Sequence, residues 1–139
     1  MTLICERDDK NRRILITVTG VLQVADILGV VDSQAHDGTW DYACLYDRRG
    51  MSAGPTTADV VPIARYIREL ETIHGQRGPV AVVGDRTGSA ETYARLSKQI
   101  GLPFEIFDDI GAAEAWLTGH GYRAASTDSG ESRRGGDQN

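Results

Sequence analysis

Two short stretches carry the side chains with the clearest chemistry. The first, between Asp47 and Thr57, holds Arg48, Arg49, Ser52, Thr56 and Thr57. The second holds Arg86, Thr87 and Ser89 around Gly84 and Gly88. Guanidinium groups beside hydroxyls and glycines, just ahead of a helical pattern, fit an anion site for a phosphate or a carboxylate. The free N–H groups and the dipole at a helix start favour negative charge there. A plainer reading fits the same residues: Thr57 and Ser89 cap helices, and the arginines are solvated. Ser52 is also a candidate for phosphorylation, which adds about −1.5 to −2 charges close to Arg48 and Arg49.

Other chemistries are poorly provided for. Gly84-x-x-x-Gly88 lacks the Lys-Ser/Thr of a P-loop and the Gly-x-Gly-x-x-Gly spacing of a dinucleotide site. His36, His74 and His120 fall at helix ends, where the dipole favours them without any catalytic role. Asp8-Asp9 and Asp108-Asp109 read as a turn and a helix cap. No acid, base and nucleophile converge, so no catalytic residue, metal ligand or cofactor is assigned. Cys5 and Cys44 lie in separate strand-like runs and read as two reduced, buried thiols.

The elements that must position these residues follow from periodicity. Two β-rich runs, Thr2 to Arg7 and Arg13 to Thr19, flank a polar turn and predict a hairpin. In the second run Ile14, Ile16 and Val18 share one sheet face. Leu15, Thr17 and Thr19 share the other, with Leu15 hinting at a covered patch. Val24, Ile27, Leu28, Val31 and Ala35 form a helical stripe closed by Gly38. The nearly continuous apolar run Tyr42 to Tyr46 reads as a strand covered by helices.

A second helix is expected from about Ala58 to His74, with Thr57 or Asp59 as its cap. Val60, Ile63, Ala64, Ile67, Leu70 and Ile73 form its buried stripe. Pro62 belongs near the first turn of that helix. Pro79 to Gly84 is the clearest buried strand. A third helix carries Ala90, Tyr93, Leu96 and Ile100. Phe104 to Phe107 is a short strand, and a last helix capped by Asp108 or Asp109 carries Ile110, Ala113, Trp116 and Leu117.

The expected fold is therefore α/β, with order β-β-α-β-α-β-α-β-α. It is a mainly parallel five-stranded sheet with an antiparallel N-terminal hairpin strand and four helices. Residues 1–122 form the domain, and 123–139 read as a disordered polar tail. With 139 residues, 40% of them hydrophobic, the chain is long enough for one real core. A net charge of −5 leaves no general basic footprint for nucleic acid. No apolar run reaches the ~20 residues of a membrane span, and the N-terminus lacks the layout of a signal peptide. A cytoplasmic location, without membrane insertion or nucleic-acid binding, is the expectation.

The chain resembles the SpoIIAA-like family, which includes STAS and Sec14-like bacterial domains, from about Ile14 to Leu117. The residues that carry the resemblance are Val18-Thr19-Gly20-Val21-Leu22, Asp26-Ile27, Tyr42 to Asp47, Val80 to Gly84, Phe107-Asp108-Asp109 and Ala113 to Leu117. It implies a layer of helices on one side of the sheet and a regulatory or interaction module rather than an enzyme. The implied partner is a protein of anti-sigma or kinase-like type, or a second copy. In relatives that antagonise anti-sigma factors, a partner kinase phosphorylates a Ser or Thr where the central strand feeds its helix. Ser52, Thr56 and Thr57 occupy that stretch here. The family's short Asp-Ser-Ser/Gly-Gly pattern is absent and the loop is longer. The Sec14-like relatives imply an alternative, a small acyl, lipid-like or anionic ligand held near Tyr46, Met51 and Tyr66.

Overall fold

The computed structural model describes residues 2–85, 89–99 and 101–120. The elements, in chain order, are β1 (Thr2–Asp8), β2 (Arg13–Val21), α1 (Val24–Asp37), β3 (Ala43–Ala53), α2 (Thr57–His74), β4 (Val80–Val83), α3 (Ser89–Gln99), β5 (Phe104–Phe107) and α4 (Ile110–His120). One sheet takes the order β1-β2-β3-β4-β5. β1 pairs antiparallel with β2, and the other neighbours pair in parallel. Each strand lies beside its predecessor, so the carboxyl ends of β2 to β5 share one rim. The polar tail expected at 123–139 lies outside the described residues.

Period-two alternation sorts the core into two layers. Ile14, Ile16, Val18, Cys44, Tyr46, Val80, Val82 and Ile106 share one face, packed with Val30 of α1 and Ala94 of α3. Leu15, Ala43, Leu45, Ala81, Val83 and Phe107 share the other, packed with Ala113, Trp116 and Leu117 of α4. The terminal helix thus lies opposite the crossover helices, and the layer is not one-sided as the resemblance implies. Leu15 gains its cover from α4, and Arg13 beside it pairs with Glu114 and donates to Thr118 Oγ1 at 2.7 Å. On that face Ile4 of the edge strand stays 51% exposed.

Several local expectations change. Cys5 is exposed while Cys44 is buried, because β1 is an edge strand that α1 does not cover. Ala25, Gly29 and Ser33 of α1 are too small to close the groove beside Leu3 and Cys5. The α2 stripe is buried at Val60, Ile63, Ala64 and Ile67 but runs out at the last turn, where Ile73 is 72% exposed. Pro62 is the sixth helical residue, in the second turn and exposed, where its missing N–H costs one helix bond. The α2 cap is Thr56, with extended backbone, rather than Thr57 or Asp59. Its N–H and hydroxyl donate to the Asp59 carboxylate at 2.8 and 3.1 Å.

Candidate functional site

The first arginine-rich stretch is strand rather than loop. β3 continues to Ala53, so Arg48, Arg49 and Ser52 are strand residues and only residues 54–56 form the connection to α2. What extends β3 is its pairing with the long β2: Thr17 pairs with Asp47, Thr19 with Gly50, Gly20 with Met51 and Val21 with Ala53. Two irregularities break the register. Arg48 and Arg49 together oppose Val18, and Ser52 has no opposite residue. Such bulges re-aim side chains. Here the first one lets Arg48 and Met51, three residues apart, line the same cavity.

That cavity lies between the sheet and helices α2 and α3 and measures about 110 Å³. Tyr46, Val80, Val82 and Phe104 form its floor, and Val60, Ile63, Ile67, Ala90 and Tyr93 form its roof. Arg48, Met51 and Pro55 stand along its margin toward the carboxyl ends of the strands, and Arg77 also lines it. No Asp or Glu does. Tyr66, expected nearby, does not reach it; its hydroxyl donates instead to Asp32 of α1.

Arg77 is buried in the connection between α2 and β4. The chain approaches closely here: a Cβ on Gly78 would meet the carbonyl oxygens of Tyr42 and Asp41 within 2.5 Å. The Gly78 N–H donates to the Trp40 carbonyl at 3.1 Å. The guanidinium donates to Gln34 Oε1 from Nη2 at 2.6 Å and from Nε at 3.2 Å. It reaches Cys44 Sγ at 3.9 Å, lies near the Tyr46 phenol, and stands 5.9 Å from the centre of the Trp40 ring. Gln34 is itself held, its Nε2 donating to the Thr39 carbonyl at 3.0 Å.

These partners are neutral. Burial pushes the Cys44 thiol up from its ordinary pKa and the Tyr46 phenol far up, so neither ionises near neutral pH. Burial raises the Tyr93 phenol as well. Glu71 accepts the main-chain N–H of Arg77 at 3.0 Å, and among the described residues no carboxylate forms an ion pair with the guanidinium.

The residues singled out from sequence separate into distinct roles. Arg48 donates from Nη2 to the Asp85 carbonyl at 2.6 Å, tying β3 to the connection after β4, while its buried Nε has no partner among the described residues. Its side chain crosses Gly84, where a Cβ would approach it to 3.2 Å. Arg49 is turned to Asp47 on its own strand, at 2.9 and 2.8 Å, and does not line the cavity. Ser52 and Thr57 are exposed and do not line it either. Arg86 and Thr87 lie outside the described residues, as does the side chain of Ser89, which opens α3.

Arg77, Gln34 and Tyr93 were not among the site residues expected from sequence. Gln34 does carry a signal. It continues the α1 stripe at Val24, Ile27 and Val31, so a polar amide stands on a buried helix face. Arg77 is flanked by Gly75, Gly78 and Pro79 and offers no comparable periodic cue. Among the described residues, no group of three or more His, Cys, Asp or Glu could hold a metal ion, and no helix is long and apolar enough to cross a membrane.

No family model matches this chain, and no curated protein matches it significantly. Solved structures are similar at low identity. The anti-sigma factor antagonist SpoIIAA in its unphosphorylated form is 14% identical, with a TM-score of 0.52 over 86% of this chain and 99% of that one. An uncharacterised protein of the DUF3478 family with a SpoIIAA-like fold, from Shewanella loihica PV-4, is 19% identical. Its TM-score is 0.49, over 84% of this chain and 92% of that one. The class defined is a SpoIIAA-like α/β fold, with a mixed sheet, an antiparallel N-terminal hairpin and four helices.

Proposed function

We propose that this protein is a non-enzymatic binding module that takes a small, largely apolar molecule in the cavity between β3–β5 and α2–α3. The observation that carries this reading is the cavity itself, about 110 Å³ with apolar residues over most of its wall. An engineered apolar cavity of roughly 150 Å³ is enough to bind benzene. This cavity is somewhat smaller, so it suits a short branched chain, with longer parts extending past Arg48, Met51 and Pro55.

Titrating small neutral apolar molecules into the ¹⁵N-labelled full chain tests this. Shifts are expected to centre on Ile63, Ile67, Val82 and Tyr93. Ala90→Phe, which fills the same space from α3, is expected to abolish them at an overpacking cost of about 1–3 kcal/mol. Shifts scattered over the surface, or unchanged by Ala90→Phe, would remove the reading.

A second reading is a regulatory module that meets a protein partner at the rim where β3 feeds α2. The fold shared with an anti-sigma factor antagonist supports it. So do the exposed Thr57 and the 52% exposed Val61 in the first turns of α2. Phosphorylation of Ser52, Thr56 or Thr57 would act at that rim. The two readings are compatible, since Arg48, Met51 and Pro55 border the cavity beside the same residues.

A further inference from the structure

Resting on the cavity reading above, we propose that the ligand is a small monocarboxylic acid, its carboxylate drawn to the buried Arg77 and its apolar body lying against Ile63, Ile67 and Val82. A buried cation is costly unless an opposite charge compensates it. Arg77 is only 7% exposed, yet its guanidinium meets an amide oxygen, a thiol and a phenol, each of them neutral. The nearby acid, Glu71, accepts the main-chain N–H of Arg77 and, among the described residues, forms no ion pair with its guanidinium.

The group is also preset. Gln34 grips the Nε and Nη2 edge of the guanidinium while Thr39 holds Gln34, so little ordering remains to be done on binding. Arg48 adds a second positive charge on the same cavity wall, with a buried Nε that lacks an acceptor among the described residues. Among the described residues, two cations and no Asp or Glu line the cavity; Asp85 offsets Arg48 in part, which leaves Arg77 as the cation that an incoming anion would compensate. A carboxylate suits it better than a phosphate. It is planar and singly charged, matches an arginine in shape, and brings fewer acceptor oxygens into an otherwise apolar space.

The test compares 4-methylpentanoate, its neutral amide of equal size, and 3-methylbutyl phosphate, each titrated into the wild-type full chain at neutral pH. The acid is expected to bind about 10-fold or more tightly than the amide, the difference made by one charge-assisted hydrogen-bonded contact. Arg77→Met is expected to bring that ratio close to one while the amide still binds. If Arg77→Met does not fold, Arg48→Gln, expected to narrow the ratio in part, serves beside the wild-type comparison. Equal affinity for acid and amide, or tighter binding of the phosphate, would overturn the carboxylate while leaving an apolar cavity. Binding of none of the three, together with no response to neutral apolar molecules, would overturn the cavity reading itself.

Discussion

Four arginines show how one side-chain type is set to different tasks by its surroundings. Arg49 is half-exposed and paired with Asp47 two residues away, whereas Arg48 crosses Gly84 and Arg77 is enclosed. Arg12, at the far end of the sheet, pairs with Asp41. The Arg49 hydrogen bonds hold the Asp47 carboxyl below the usual carboxylate range. A carboxyl with a lowered folded pKa stabilises the protein above its unfolded value, about 3.9, and that contribution is lost as pH falls through the folded pKa. Asp47→Asn is therefore expected to lower stability at pH 7 by less than about 1 kcal/mol, the range of exposed pairs. The gap to wild type should narrow as pH falls through the lowered folded pKa, as urea melts at neutral and acid pH would show. A gap that persists in acid would mean Asp47 acts through packing. Arg48 and Arg49 were legible as anion-binding candidates, but sequence alone could not show that a bulge turns one toward the cavity. Nor could it show that Arg77, in an unremarkable connection, is the enclosed one.

At the scale of elements, the strand and helix order was legible almost throughout because alternation and helical stripes report burial directly. Two features escaped it for physical reasons. The β3 extension to Ala53 is polar and exposed, and it exists because β2 offers a ladder to pair with, which is a property of two segments rather than one. The side taken by α4 depends on where the last turn sends the chain, and a stripe of Ile110, Ala113 and Leu117 is the same on either face. Leu15 was the visible hint, and its partner is now known. Leu117 is wholly buried against Ala43, Leu45, Ala81 and Val83. Leu117→Ala is expected to cost about 2–5 kcal/mol in a denaturant melt, the range for an enclosed leucine. A loss below about 1 kcal/mol would mean that α4 is only loosely attached in solution.

For the molecule as a whole, the two cysteines give independent clocks. Cys5 is exposed on the edge strand, while Cys44 is fully buried in β3, the central strand. A thiol reagent is expected to modify Cys5 at once in the native protein and Cys44 only when the sheet opens. Where reclosing outruns modification, the Cys44 rate follows the population of the open state. A ligand that binds only the folded cavity lowers that population, by about 2.7 kcal/mol at 100 times its dissociation constant. Cys44 modification should then slow roughly 100-fold while Cys5 is unchanged. Because Cys44 touches Arg77, local shielding is a rival cause, and urea separates the two. Protection through folding stability must shift the whole unfolding transition by a matching amount, whereas local shielding leaves it in place. A ligand that slows Cys44 without moving that transition would show that the cavity can be filled without stabilising the sheet around it.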